Sequence, residues 1–160
     1  MDQAGEDARE ILLTLYRENS GQARHYEQQR QAIAAAGSLV AAIVLGLLAT
    51  RGAAVGSSGF ALLPALLLIG VGATGFVASL TRHERARLHV ERVHAIRREI
   101  SRRFPVDIQA LYDEAKHTHA KRYPRMSEQT GRTHWTYQAL HLGIAGLGLL
   151  LALLALGGPA

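Results

Sequence analysis

The chain has 160 residues, no cysteine, 18 Lys and Arg against 13 Asp and Glu, and a formal net charge of +5. Without cysteine there are no disulfides, thiolate metal sites or cysteine nucleophiles. A mean hydropathy near zero conceals three apolar runs between segments dense in Arg, Glu, Gln and His, a block pattern that argues against one soluble core and for membrane insertion.

Residues 1–30 carry four Arg and six acids and are expected to form an N-terminal cytosolic helix over 6–30. Ala8, Ile11, Leu12 and Leu15 recur at helical spacing, as a stripe packing on other cytosolic helices would. Gly21 weakens that helix by about 1 kcal/mol relative to Ala. Arg24, Tyr26 and Arg30 stand where interfacial anchors belong. A cleavable signal peptide is not expected here, because about thirty residues that are acidic on balance, and not a short basic leader, precede the first apolar run.

The region 31–81 reads as a transmembrane hairpin with spans at about 31–50 and 60–81. Gln31 to Thr50 and Gly52 to Thr81 contain no charged residue, and Gly56-Ser57-Ser58-Gly59 supplies the turn. Roughly 20 apolar residues suffice for one helical crossing. Both spans repeat small residues at four-residue intervals: Gly37 and Ala41, Ala42 and Gly46, then Gly70, Thr74 and Ala78. Such pairs let helix backbones approach closely, so these residues are expected to serve helix packing within the chain and assembly of protomers, on different faces. Gly72 and Gly75 add close-approach points. Pro64 lies in the first turns of its span, where a missing amide donor is least costly. No Asp, Glu, Lys or Arg lies inside any span, which argues against a proton-coupled transporter and leaves open a pore lined by small polar residues and backbone.

Residues 82–134 form a basic cytosolic arm with thirteen Lys and Arg against seven acids. The second span should run into it without a break. Ala86, His89, Val93, Ile96 and Ile100 recur at three- and four-residue intervals, and Val93, Ile96 and Ile100 give a seam able to dock a partner. Arg87 and Glu91 are placed for an i,i+4 pair. The remaining Arg residues read as a solvated face, a topology signal and an attraction to anionic headgroups. Specific nucleic-acid binding is not expected, since no docking motif or interleaved aromatics accompany the charge. Phe104-Pro105 ends the arm, Val106 to Arg122 forms a second helix with Val106, Leu111, Tyr112 and Ala115 on one side, and Tyr123-Pro124 stops it. After a polar connector from Met126 to Thr133, Trp135 and Tyr137 act as membrane-interface anchors for a third span over 135–157.

Chemistry is sparse. Six of the eight histidines lie between His83 and His134, but their spacing matches no zinc motif, and His117 and His119 diverge on a helix. No catalytic residue, metal ligand or cofactor is nominated. His141 is the one titratable side chain at membrane depth and is expected to hydrogen-bond at the interface or between helices. The fold class is therefore all-α: an integral membrane helical bundle of three transmembrane helices with cytosolic helical extensions. Lys and Arg are retained on the cytoplasmic side, which places the N-terminus inside and the C-terminus outside.

The flank from Tyr16 to Arg30, containing Ala23-Arg24-His25-Tyr26, and the arm from Glu84-Arg85-Ala86-Arg87-Leu88-His89 through Ile96-Arg97-Arg98-Glu99-Ile100 bracket the hairpin. Over residues 10–104 this pattern resembles the SLATT family of small bacterial membrane domains, here with an additional C-terminal span. The resemblance implies an oligomeric pore-forming or membrane-disrupting effector of a bacterial defence or conflict system. It also implies an inner-membrane location and a cytosolic sensor or regulator as partner. The alternative expectation is a non-conducting membrane anchor or adaptor whose cytosolic helices dock a protein.

Overall fold

The computed structural model describes residues 3–51, 58–105, 107–123 and 133–157. Among these the chain is all-α, with four helices: α1 (Gln3–Arg51), α2 (Ser58–Arg103), α3 (Ile108–Arg122) and α4 (Thr133–Gly157). Three of them, α1, α2 and α4, are long and apolar enough to cross a membrane.

Helices α1 and α2 contain 49 and 46 residues. At the standard rise each is roughly 70 Å long, more than twice the hydrocarbon thickness of a bilayer. Each therefore joins one apolar half to one polar half without a break. Gly21 does not interrupt α1, and Pro64 sits early in α2, as its missing donor demands. Ser58 and Gly59, expected in the turn, belong to α2, whereas Gly56 and Ser57 lie outside the described residues.

Helix α2 stops at Arg103, where the Phe104 amide still donates to the Ile100 carbonyl at 2.9 Å before Pro105. The next helix begins later than Val106, which is itself outside the described residues. Asp107 is its N-cap, accepting from the Ala110 amide at 3.0 Å, and that satisfies a donor the first turn cannot pair internally. The Ile108 amide donates to Ser101 Oγ at 3.1 Å. Pro124 and the connector from Met126 to Arg132 lie outside the described residues.

The helices contribute to two compact units, residues 1–28 with 83–133 and residues 29–82 with 134–160. The first is polar and the second apolar. In the apolar unit Ala41 and Val44 of α1, Leu68 of α2 and Ile144 of α4 form the core.

Candidate functional site

In the apolar unit α4 meets α2 at glycines. A Cβ at Gly72 would stand 2.5 Å from the Ala145 nitrogen, and one at Gly148 would stand 2.7 Å from the Ala65 carbonyl oxygen. Side chains do not tolerate such distances, so the two backbones touch here. Gly72 pairs with Ala145 and His141 while Gly148 pairs with Ala65 and Ile69, so α2 and α4 run in opposite directions.

His141 sits at the centre of this contact with no exposed surface. Its ring occupies the space that a side chain at Gly75 would need. On the other side, a Cβ at Gly37 would stand 3.4 Å from its Cε1 and 3.6 Å from its Nδ1. The imidazole is thus held between α1 and α2 by two missing side chains. The interhelical hydrogen bond expected of His141 is not made: neither ring nitrogen has a partner among the described residues. The backbone geometry that admits the ring brings glycines, not polar side chains, against it.

Other polar groups are buried in the same unit: Ser79, Gln138 and Arg30. The Arg30 guanidinium carbon lies 4.9 Å from the centre of the Tyr137 ring, a cation–π arrangement. Arg82 Nε donates to Gln29 Oε1 at 3.2 Å. Of the expected interface anchors, Tyr137 is therefore half-buried beneath Arg30, while Trp135 is exposed.

The small residues of the spans divide by face. Gly37 and Ala41 are buried within the chain. Gly46 and Gly70 have open space where a side chain would stand. Thr74 is exposed and returns its hydroxyl proton to the Gly70 carbonyl at 2.7 Å. Ala78 is half-buried.

The polar unit is organised around side chains of α2. Ala86, Val93 and Ile100 are buried at seven-residue spacing, and Ile96 is half-buried. The seam expected to dock a partner is an internal packing surface at Val93 and Ile100, because the chain covers its own heptad stripe. His89 stacks on Tyr26 with ring centres 5.6 Å apart and hydrogen-bonds Asn19 Oδ1 at 3.0 Å. Arg97, assigned by sequence to the solvated face, lies with its guanidinium carbon 3.7 Å from the centre of the Tyr112 ring and donates to the Tyr16 hydroxyl at 3.1 Å. The Tyr16 and Tyr112 hydroxyls are 3.0 Å apart.

That hydroxyl contact, with the Arg97 hydrogen bond second, holds the Tyr16 phenol below its ordinary value. The same contact, with burial second, raises Tyr112. Both directions follow if Tyr112 donates to Tyr16. Arg87 and Glu91 approach only to 3.9 Å on an exposed face, a pair of little energetic consequence. Glu99 binds Arg102 and Arg103. Among the described residues no three His, Cys, Asp or Glu side chains converge as metal ligands; the His119 ring lies tilted against Tyr123, with ring centres 5.1 Å apart.

The sequence flagged Gly72 and Gly75 as close-approach points but gave Gly148 no role, since neighbouring Gly143 and Gly146 look identical and face open space. The Tyr16–Arg97–Tyr112 cluster joins residues up to 96 apart and has no local signal. No protein-family model, curated protein or solved structure matches the chain.

Proposed function

We propose that the chain is a small oligomeric membrane protein, non-enzymatic, acting as a pore-forming or membrane-disrupting effector module in a bacterial defence system. In this reading it resides in the inner membrane with its N-terminus and basic segment in the cytoplasm and its C-terminus outside, the orientation that the Lys and Arg distribution favours. A cytosolic sensor or regulator triggers it, as the SLATT resemblance implies. The observation that carries the reading is the outward face of Gly46, Gly70 and Thr74, where helices of further protomers can approach closely. Backbone contact at Gly72 and Gly148 and the buried Ala65, Leu68 and His141 fill the interior of the apolar unit, so a conducting path forms between chains and not within one.

The test is planar-bilayer conductance of the purified protein alongside its native mass in nanodiscs. Discrete currents from a defined oligomer, both lost in Gly70→Leu, are expected. A strict monomer overturns the proposal.

A second reading, a non-conducting adaptor, is favoured by α3, which has no buried residue and leaves Leu111 59% exposed. In that reading an oligomer never conducts, and Leu111→Ser abolishes partner recovery without altering permeability.

A further inference from the structure

Two exposed rows of the polar unit carry opposite charge. On α1, Asp7, Ile11, Leu15 and Glu18 recur at three- and four-residue spacing and so share one side of the helix. All four are exposed, Ile11 by 60% and Leu15 by 40%, and no Lys or Arg stands among them. On α2, Arg85, Leu88, Arg92 and Ala95 form a row of the same kind, also exposed, with Leu88 49% bare. The next acid along that row, Glu99, is already bound by Arg102 and Arg103. The two rows are in register. Asn19 hydrogen-bonds His89, and the Tyr16 hydroxyl accepts from Arg97, so α1 and α2 run antiparallel here with residues 16–19 beside residues 89–97. Glu18 therefore stands at the height of Arg92, and Leu15 at that of Ala95.

We propose that these rows are the cytosolic contact between copies of this chain, the α1 row of one copy lying against the α2 row of the next. The inference rests on the oligomeric reading above and names the surfaces that assemble outside the membrane. Copies inserted in one orientation present their helices at matching heights. Glu18 of one copy thus comes level with Arg92 of its neighbour, and Leu15 with Ala95, without any shift along the helix axis. A single surface ion pair is worth little. Rows complementary in charge fix the partner and the register, while Ile11, Leu15 and Leu88 supply apolar contact area.

Other occupants match one row only. Anionic headgroups suit Arg85 and Arg92 but are repelled by Asp7 and Glu18, and a basic partner protein has the opposite fit. A second copy matches both rows at once, since it brings each to the other. Glu18 and Arg92 are exposed and make no ion pair among the described residues, so reversing either charge leaves the fold of one copy undisturbed.

The full chain, its Glu18→Arg variant, its Arg92→Glu variant, and the two variants coexpressed with tags of different mass are weighed natively in phosphatidylethanolamine–phosphatidylglycerol nanodiscs over a series of protein-to-lipid ratios. Each reversal alone sets like charges against one another at every contact, and half-assembly is expected to need about tenfold more protein per lipid. In the mixture the introduced arginine of one variant faces the introduced glutamate of the other, and their unaltered Glu18 and Arg92 face each other in the alternate contacts. Oligomers containing both tags are therefore expected at the ratio the unmodified chain needs. An oligomer indifferent to both reversals overturns this interface and leaves the oligomeric reading standing. Disruption that the mixture does not repair assigns the charges to contacts within one chain or to another partner, and overturns it as well. An unmodified chain that stays strictly monomeric overturns both.

Discussion

A single missing methyl group has opposite consequences at different glycines of this chain. Gly72→Ala places a carbon 2.5 Å from the Ala145 nitrogen; α2 and α4 must separate, destabilising the fold by about 1–3 kcal/mol. Gly70→Ala meets nothing of its own chain within 4 Å and, in protein dispersed to monomers, gains up to about 1 kcal/mol in helix propensity. Thermal unfolding of the two variants in detergent should move in opposite directions. The tyrosine pair makes a second residue-level prediction. Tyr16 titrates below its ordinary value of 10.0 and Tyr112 above it. Between the Tyr16 value in the folded chain and 10.0, the unfolded chain binds more protons, so stability rises with pH. Above 10.0 the folded chain keeps the Tyr112 proton, so stability falls through the Tyr112 value. With Tyr26, Tyr123 and Tyr137 replaced by Phe, tyrosinate absorbance should resolve two steps, and a further Tyr112→Phe should return Tyr16 upwards by removing its largest perturbation.

Among the elements, α3 has the weakest tertiary support. It is 15 residues long with no buried residue, near the length at which isolated helices are marginal. Its anchors are the Asp107 cap, the Ser101 hydroxyl and the Tyr112 ring against Arg97. Asp107→Ala should cost about 1 kcal/mol of helix stability, read as amide exchange accelerated about fivefold throughout α3 while buried turns of α2 around Val93 stay protected. Helix α2 has the reverse character: its polar half buries Ala86, Val93 and Ile100 at heptad spacing, so its order is secured by packing rather than propensity.

For the whole molecule, topology is the property with the most direct test. The chain lacks cysteine, so single introduced thiols report unambiguously. Lys116→Cys should resist a membrane-impermeant maleimide in intact cells and react after lysis, whereas Thr50→Cys, at the far end of the first span, should react in both. The reverse pattern would invert the orientation proposed from the basic segment.

The elements themselves were legible in sequence. Uncharged runs of hydrocarbon-spanning length, the absence of a breaker between Thr81 and Arg103, and Phe104-Pro105 after it determine three apolar helices and a continuous arm, because helix length and termination are local properties. What the glycines and polar side chains do was decided only by tertiary structure. Gly148 touches α2 while Gly143 and Gly146 face open space, Arg97 lies against a tyrosine pair instead of in solvent, and His141 is buried against two glycines with neither nitrogen paired among the described residues. Each depends on which faces of distant helices meet, and small residues spread around a helix permit several faces with nearly equal local energy. The choice among them is made by the sum of contacts across α1, α2 and α4, which no single stretch of the chain contains.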